Sequence, residues 1–290
     1  MSAGGNPIAV EAIVARINSR HRAAFTLRSR AKGGESGGAY VLANTAGKEF
    51  VLKFGPVNET HPERAATVTK RLRAAGYPAP SYVCVGIDGG LKYSIQAMMP
   101  GTPSRVINAA MVREVIAINR IQAARGGDMP PEWPARVIDG VLKGFVGYCE
   151  IDTLRRYSGE SAAMLDTIQE LVVGHSGGEF VSGDIVHWDF NPGNVLSDGN
   201  RITGVIDWDG VCAGDRGFDL ATLLFYSYDD REVRDPLWRE VVDCSGRAAL
   251  TVYLAHMIVR QVDWSIRHHH PASTAYWMTT AKKILGDLAD

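Results

Sequence analysis

Residues 187–196 read HWDFNPGNVL, and residues 206–209 read IDWD. These two segments place Asp189, then Asn194 five positions later and Asp207 thirteen positions beyond that, each beside apolar runs typical of strands. Phosphoryl transfer from a metal-bound nucleotide needs a carboxylate to take the proton of a hydroxyl group. It also needs an amide oxygen and a second carboxylate to hold Mg²⁺. The sequence therefore predicts Asp189 as the base and Asn194 and Asp207 as the metal ligands.

The local sequence around these residues predicts a turn followed by a hairpin. Residues 191–193, Asn-Pro-Gly, cannot continue a strand, so the backbone turns there and exposes Asp189 and Asn194. A second turn at residues 198–200 then allows Val195-Leu196 to pair with residues 202–206. We expect this hairpin to bring Asp207 back beside Asn194, and we expect His187 to brace the loop and not to carry the proton.

The composition excludes several classes of function. The chain has 290 residues, 46% of them hydrophobic, and its 31 basic and 32 acidic residues give a net charge of −1. That balance provides no basic surface of the kind that binds nucleic acid or membrane lipid. The four cysteines have no metal-binding spacing, and no apolar run approaches the ~20 residues of a membrane span. We expect a cytoplasmic protein without an obligatory protein partner.

The order of predicted elements indicates two lobes. Residues 1–99 form a β-rich lobe with one or two helices, and residues 100–290 form a mostly helical lobe with the strands of the quoted motif inserted. Met99-Pro100-Gly101-Thr102-Pro103 separates them, because two prolines and a glycine prevent a helix or strand from continuing. Five short strands are predicted in the first lobe, at residues 25–31, 39–44, 49–54, 82–86 and 92–98.

A glycine-rich segment and a lysine in the first lobe suggest a phosphate site. Residues 32–38, KGGESGG, lie between two predicted strands, so that backbone N–H groups near Ser36, Gly37 and Gly38 could approach phosphate oxygens. Lys53 interrupts an apolar strand, where a charge needs a partner that a triphosphate would provide. A flexible turn and an edge-strand lysine are the alternatives. Glu63 is the first candidate to orient Lys53, and Glu59 is the second.

Several acidic residues follow Asp207. Asp219 precedes an apolar helix and reads as its N-cap. Four other carboxylates are predicted to contact a cationic substrate, although such residues are often only solvated: Asp209, Asp215, Asp230 and Glu232.

Together these residues resemble the aminoglycoside phosphotransferase/choline kinase-like family, whose fold is similar to that of the protein kinases. The resemblance covers almost the whole chain and is most specific in residues 187–196. It implies an α+β, bilobal protein-kinase-like fold with a small antiparallel β-rich N-lobe and a mostly helical C-lobe. It also implies that ATP or GTP binds with Mg²⁺ between the lobes.

The resemblance assigns roles that match those read from the residues, with the base on Asp189, the metal ligands on Asn194 and Asp207, and the phosphate-binding lysine on Lys53. It adds a brace for the loop at Asp219. It also implies that the backbone of three residues contacts adenine: Ala97, Met98 and Met99.

Two residues depart from the family pattern. Trp188 stands where many members have glycine, and Glu63 lies outside the common spacing of the glutamate that pairs with the lysine. Residues 206–208 replace the Asp-Phe-Gly of protein kinases, which argues against a regulated protein kinase.

We expect an Mg-ATP-dependent O-phosphotransferase that acts on a cationic antibiotic, an aminoglycoside or a basic peptide, and so confers resistance. One alternative is a metabolic kinase for choline, homoserine, a fructosamine or a sugar. An alternative from another class is a nucleotide-binding regulatory module without catalysis.

Overall fold

The computed structural model describes residues 10–31, 39–57, 61–130 and 132–289. The chain divides into two units, the first comprising Met1–Gly101 with Thr203–Gly210 and the second comprising Thr102–Ile202 with Val211–Asp290. The chain therefore returns to the first unit for a short segment around Asp207, which places this carboxylate in the same unit as Lys53.

The first unit contains one antiparallel sheet and two helices. The strand order is β1-β2-β3-β5-β4, which agrees with the five strands that the sequence predicts. Pro62 occupies the first turn of α2, where its missing N–H costs no hydrogen bond. The elements are α1 (Val10–His21), β1 (Thr26–Arg30), β2 (Tyr40–Ala43), β3 (Glu49–Pro56), α2 (Pro62–Ala74), β4 (Tyr82–Asp88) and β5 (Leu91–Ala97).

One face of this sheet packs against α1, because alternate residues of each strand point to the same side. Phe50 and Leu52 of β3 and Ile95 of β5 lie in that core together with Ile13 and Ile17 of α1. Burial of such side chains stabilises the unit by about 1.5–3 kcal/mol each. The intervening residues of β3 and β5 consequently lie on the other face.

The other face carries polar side chains. Gln96 on β5 is directly opposite Val51 on β3 and Tyr82 on β4, and Lys53 is opposite Ser94. Directly opposed residues of an antiparallel pair share a face. Lys53, Gln96 and Tyr82 are therefore neighbours on the side of the sheet that the α1 core does not cover.

The second unit is mostly helical. Its longest helix, α9, is buried along nearly its whole length and forms the centre of the core. The strand β6 pairs antiparallel with β8, and β7 pairs antiparallel with β10. The elements are β6 (Thr102–Pro103), α3 (Ala109–Arg120), α4 (Ala135–Leu142), α5 (Ile151–Tyr157), α6 (Gly159–His175), β7 (Asp184–Val186), β8 (Val195–Ser197), β10 (Cys212–Gly214), α7 (Gly217–Tyr226), α8 (Arg231–Ser245), α9 (Arg247–His268) and α10 (Pro271–Ala289). The strand β9 (Ile202–Val205) begins in the second unit at Ile202, and its remaining residues belong to the first unit.

Two helix boundaries differ from the pattern of the sequence. The helical pattern of residues 137–149 ends at Leu142, because Gly144 and Gly147 adopt φ of +70° and +78°, which a helix does not accept. The proline at position 236 favours a helix start, but the helix begins at Arg231, since Asp230 caps its N-terminus. Among the residues that the structure describes, no helix is both long and apolar enough to cross a membrane.

Candidate active site

Residues 187–194, here called the 187–194 loop, follow β7 directly. The strand β7 is fully buried and pairs with β10, so the start of the loop is fixed to the core of the second unit. The side chain of Asn191 accepts a hydrogen bond from the N–H of Gly193 (2.8 Å) and caps the single helical turn Pro192–Asn194. The predicted turn at this point is therefore a capped turn that leads directly into β8.

Asp189 and Asn194 are joined by two hydrogen bonds within this loop. Asn194 Nδ2 donates to the backbone oxygen of Asp189 at 2.8 Å and to its Oδ2 at 2.9 Å. Both amide hydrogens of Asn194 are thus directed at Asp189, which leaves Oδ1 of Asn194 as the atom suited to bind a cation. The sequence spacing of five positions is the spacing that this turn requires.

Arg260 of α9 contacts the other side of Asp189. Its Nη2 lies 2.5 Å from Asp189 Oδ1, and its Nη1 donates to the backbone oxygen of Trp188 at 3.1 Å. Burial alone would raise the pKa of Asp189, but the charge of Arg260 and hydrogen bonds from Asn191 and Arg260 bring this pKa below its ordinary value. The carboxylate is therefore ionised at neutral pH and able to accept a hydrogen bond from a hydroxyl group.

The start of the loop is held by a buried carboxylate. Asp219 Oδ2 accepts from the N–H of His187 (2.8 Å) and from Gln122 Nε2 (2.6 Å), and its Oδ1 accepts from the N–H of Trp188 (3.1 Å). Burial raises the pKa of Asp219 to about 7, although these hydrogen bonds act in the opposite direction. The interpretation of Asp219 as the N-cap of α7 is wrong, because Arg216 occupies that position and Asp219 binds the loop instead.

His187 lies in the core and does not face solvent. It is fully buried, and its Nδ1 accepts a hydrogen bond from the N–H of Asp189 at 3.3 Å. This contact is within the loop and two residues apart, which suits a bracing role better than proton transfer.

Trp188 has a backbone conformation that residues with a side chain rarely adopt. Its φ is +77°, a value that glycine accepts without cost and that costs other residues of order 1–3 kcal/mol. Packing holds it there: the indole stacks on Phe218 with ring centroids 5.0 Å apart, and the guanidinium of Arg136 lies 3.9 Å above it. The unusual tryptophan therefore has a physical account in its stacking partners.

In the first unit, Lys53 lies between two carboxylates. Its Nζ is 2.7 Å from Asp207 Oδ1 and 3.8 Å from Asp209 Oδ2. Burial and then Asp207 raise the pKa of Asp209, whereas Lys53 acts to lower it. The two acids compete for one ammonium group, so a second cation at this position would stabilise both.

The other predicted nucleotide contacts are distributed as follows. Glu63 ion-pairs with Lys92, with 3.9 Å between Oε2 and Nζ, whereas Lys53 ion-pairs with Asp207 and Asp209 among the described residues. Of the residues predicted to contact adenine, Ala97 is the last residue of β5, and Met98 and Met99 follow it. The N–H of Met98 donates to the backbone oxygen of Glu49 at 3.2 Å. Two further predictions lie outside the described residues: the glycine-rich segment with Ser36, Gly37 and Gly38, and the alternative partner Glu59.

Two buried polar atoms on the Lys53 face of the sheet have no hydrogen-bond partner among the residues that the structure describes. They are the hydroxyl oxygen of Tyr82 and Oε1 of Gln96. A buried polar atom without a partner destabilises a protein by about 1–3 kcal/mol, and such atoms are concentrated at functional sites. Their position beside Lys53 fits a polar ligand such as a nucleotide.

The predicted cation-binding acids have other roles. Asp215 is fully buried and accepts from Tyr253 Oη (2.7 Å), Ser245 Oγ (2.8 Å) and the N–H of Gly217 (2.8 Å), so its oxygens are already hydrogen-bonded inside the second unit. The exposed side chain of Asp230 caps α8 by accepting from the N–H of Glu232 at 3.0 Å. Neither arrangement favours contact with an acceptor, whereas Glu232 remains exposed in the first turn of α8.

The candidate metal ligands fit Mg²⁺ by their chemistry. Mg²⁺ is usually held by one or two carboxylates together with substrate phosphates and water. Asp207 offers a carboxylate beside a second acid in the first unit, and Asn194 offers an amide oxygen in the second. Within the described ranges, no group of three or more His, Cys, Asp or Glu side chains is arranged to bind a metal without a ligand's help.

Sequence reasoning missed two residues of this site. Arg260 lies in an otherwise apolar stretch of α9, and a charge in such a stretch signals a buried partner. Gln122 gave no signal, because a glutamine at the end of a helix is ordinary. Their partners are 71 and 97 positions away in the sequence, respectively.

Comparisons with known proteins bear on the family and the fold of the chain. A family model described as the phosphotransferase enzyme family matches residues 28–251. Hygromycin-B 4-O-kinase of Escherichia coli is 45% identical over 42 residues, which are 14% of this chain and 12% of that protein. This match therefore covers a short segment of both proteins.

Solved structures match over nearly the whole chain. A mutant of aminoglycoside phosphotransferase APH(4)-Ia in complex with ADP and hygromycin B is 17% identical, with a TM-score of 0.69, covering 93% of this chain and 97% of that one. Choline kinase LicA from Streptococcus pneumoniae is 15% identical, with a TM-score of 0.66, covering 96% and 99%. At these identities the similarity shows the fold, and the predicted protein-kinase-like fold is confirmed.

Proposed function

Because this chain belongs to the phosphotransferase enzyme family, we propose that it transfers the γ-phosphoryl group of Mg-ATP to a hydroxyl group of a small molecule. The observation that carries this proposal is the fixed carboxylate of Asp189. Asn194 binds one of its oxygens and Arg260 binds the other, while the side chain remains 34% exposed. A carboxylate that is ionised, oriented and accessible is what a hydroxyl acceptor needs.

The roles divide between the two units. In the first unit, Lys53 and Asp207 provide the charges for the nucleotide phosphates and the metal ion, and the partnerless atoms of Tyr82 and Gln96 provide further polar contacts. In the second unit, Asn194 offers its Oδ1 to the metal. A bound Mg-ATP supplies the phosphoryl group and a cation that neutralises charge on the phosphate oxygens.

Asp189 acts on the acceptor. Its carboxylate accepts a hydrogen bond from the acceptor hydroxyl and aligns the hydroxyl oxygen. It takes the proton as the bond from this oxygen to the γ-phosphorus forms and the bond from that phosphorus to the leaving oxygen of ADP breaks. The lowered pKa suits this role, since phosphoryl transfer proceeds through a loose transition state in which a strong base is not required. Asp219 contributes by keeping the backbone of His187 and Trp188 in place.

For the acceptor we propose a cationic aminoglycoside, with antibiotic resistance as the biological outcome. Support comes from the similarity to Hygromycin-B 4-O-kinase and to the aminoglycoside phosphotransferase bound to hygromycin B. Choline is the second candidate, because the match to choline kinase has nearly the same TM-score. Placement in the cytoplasm and the use of ATP in preference to GTP also belong to this proposal.

The test is a transfer assay with purified protein. Mg-ATP is incubated with hygromycin B, a second aminoglycoside or choline, and the phosphorylated product is detected by mass spectrometry. Asp189→Ala and Asp189→Asn should lower kcat by at least ~10²-fold, as loss of a general base does. Asp166→Asn, an exposed acid paired with Arg155 on the surface, is the control and should retain full activity.

Two outcomes contradict the proposal. Full transfer activity in Asp189→Ala would remove Asp189 from the mechanism. If the wild-type protein binds nucleotide but neither phosphorylates an acceptor nor slowly hydrolyses Mg-ATP, the non-catalytic binding module becomes the correct description.

A further inference from the structure

Arg260 is a charged residue in the buried central helix of the second unit. Its side chain is only 16% exposed, and the residues around it on α9 are apolar or fully buried. A guanidinium in such surroundings needs hydrogen-bond partners for its charge and its donors. It finds them in the 187–194 loop, through the bonds to Asp189 Oδ1 and to the backbone oxygen of Trp188.

These two bonds join one rigid group to two consecutive residues. The planar guanidinium offers two parallel donors in a fixed geometry, which a lysine ammonium does not. The backbone at Trp188 is held from the other side too, since its N–H donates to Asp219. Because Trp188 has a φ of +77°, the loop depends on such external contacts to keep this conformation.

The Arg260 contact also determines what Asp189 can do. With Oδ1 bound to Arg260, the carboxylate group cannot rotate freely, and Oδ2 stays beside Asn194 Nδ2 at 2.9 Å. Among the residues that the structure describes, Arg260 donates hydrogen bonds to Asp189 and to the backbone of Trp188, and not to Asn194. Its effect on the chemistry passes through Asp189.

We propose that Arg260 is a positioning residue, which fixes the orientation of the Asp189 carboxylate for the acceptor hydroxyl. This inference rests on the proposed function, in which Asp189 receives the acceptor. The competing explanation is that Arg260 serves only to neutralise a buried charge and stabilise the fold. The two explanations differ in what a folded variant does: a positioning role lowers kcat and leaves the KM for ATP unchanged, whereas a structural role lowers only stability.

Arg260→Lys and Arg260→Gln are the test variants, and Arg267→Lys is the matched control. Arg267 lies on the same helix and makes a close ion pair with the buried Asp263, at 2.7 Å, away from Asp189. Both substitutions replace an arginine that makes two hydrogen bonds, Arg260 to Asp189 Oδ1 and the Trp188 backbone oxygen, and Arg267 to the two carboxylate oxygens of Asp263. Each protein is first checked for folding by thermal unfolding, and rates are measured well below its Tm.

We measure kcat and KM for Mg-ATP in two reactions, transfer to hygromycin B and hydrolysis without an acceptor. A misplacement of a catalytic group by 1 Å can cost about 10²-fold in rate, so we expect Arg260→Gln to lose about that much in kcat. Arg260→Lys keeps the charge but loses the fork, and we expect a loss of roughly tenfold, with the KM for ATP within about twofold of wild type. Arg267→Lys should lower Tm without changing kcat.

Added guanidinium ion provides a second readout in Arg260→Ala. Partial recovery of kcat at guanidinium concentrations too low to unfold the protein supports the positioning role. Rates measured well below Tm are not limited by stability, so a change in stability would not restore kcat. Crystal structures of Arg260→Gln and wild type supply a readout independent of activity: the Asp189 carboxylate should be rotated away from Asn194 or present in several orientations.

The inference is overturned if Arg260→Gln and Arg260→Lys keep kcat within twofold of wild type, or if Arg267→Lys loses as much activity as they do. If the wild type shows neither reaction, the proposed function fails, and the crystal structures then decide the positioning role alone. An unchanged, single orientation of Asp189 in Arg260→Gln would reject it.

Discussion

Lys53 and Asp207 form a close ion pair on the polar face of the β-sheet, with 2.7 Å between Nζ and Oδ1. Each member has a second partner in the proposed reaction, phosphate oxygens for the lysine and Mg²⁺ for the aspartate. In the absence of ligands, each charge of this pair is compensated by the other. Asp209, whose Oδ2 lies 3.8 Å from Lys53 Nζ, adds a further negative charge. Nucleotide and metal should therefore bind together, since either alone leaves one of these charges poorly compensated.

Lys53→Met should weaken binding of Mg-ADP by about tenfold or more, because hydrogen bonds to charged groups contribute about 1.5–3 kcal/mol. Isothermal titration calorimetry measures the change directly. Lys92→Met is the matched control, since Lys92 lies on the neighbouring strand and pairs with Glu63. Equal weakening in both variants would show that the effect is a general loss of positive charge and not a contact of Lys53.

Tyr82→Phe should stabilise the protein. The Tyr82 hydroxyl is buried without a partner in the described structure, so its removal relieves a desolvation cost of about 1 kcal/mol or more. Tyr228→Phe makes the same chemical change where the hydroxyl donates to Asp287 at 2.6 Å, and it should destabilise by about 1 kcal/mol. Urea unfolding of both variants gives the comparison. A destabilised Tyr82→Phe would mean that the hydroxyl has a partner such as a bound water.

The five strands of the first unit and the positions of Asp189, Asn194 and Lys53 could be read from the sequence because they depend on local patterns. Strand alternation locates Lys53 on β3, and the Asn-Pro-Gly turn brings Asn194 back to Asp189 within five residues. Arg260 and Gln122 could not be assigned, since their contacts depend on how distant helices pack. No local pattern specifies which polar groups two helices bring together.

The acidic residues after Asp207 show that the sequence also does not specify the surroundings of a charged side chain. The sequence indicates that Asp215 and Asp230 are charged, but not whether solvent or protein surrounds them. Asp215 is enclosed by donors from α7, α8 and α9, whereas Asp230 is satisfied by the backbone of its own helix. Burial is a property of tertiary packing, and it decides between a ligand contact and an internal hydrogen bond.

His256 should make the protein sensitive to acid. It is fully buried, its Nδ1 donates to the Val137 carbonyl at 3.0 Å, and Tyr148 donates to its Nε2 at 2.8 Å, so the ring is neutral. Burial lowers the pKa of His256 from 6.5 to about 3. Between these values the unfolded chain binds a proton that the folded protein does not, so the free energy of unfolding falls as pH decreases from 6.5 towards 3.

The expected contribution of this one proton is about 1.4 kcal/mol per pH unit. His256→Gln, which retains a donor and an acceptor but does not titrate, should show a smaller fall in the free energy of unfolding between pH 6 and pH 4.5. The exposed His270→Gln is the control and should follow the wild type. Identical pH profiles for wild type and His256→Gln would show that the buried ring is not responsible.

Asp215→Ala should destabilise the protein strongly without affecting acceptor recognition. The change leaves the Tyr253 hydroxyl, the Ser245 hydroxyl and the N–H of Gly217 without their shared acceptor, at about 1–3 kcal/mol for each group that stays unsatisfied. Asp215→Asn keeps one acceptor oxygen and provides a milder variant if the alanine protein does not fold. Asp230→Ala removes only a helix cap and should cost about 1 kcal/mol.

Urea unfolding measures these losses, and the KM for the acceptor found in the transfer assay tests the alternative that the acids bind a cation. We expect KM to stay within about twofold of wild type in Asp215→Asn and Asp230→Ala, because these oxygens already accept hydrogen bonds from protein groups. A tenfold rise in KM with little change in stability would return these acids to the acceptor site. In that case the hydrogen bonds of Asp215 would have to rearrange when the acceptor binds.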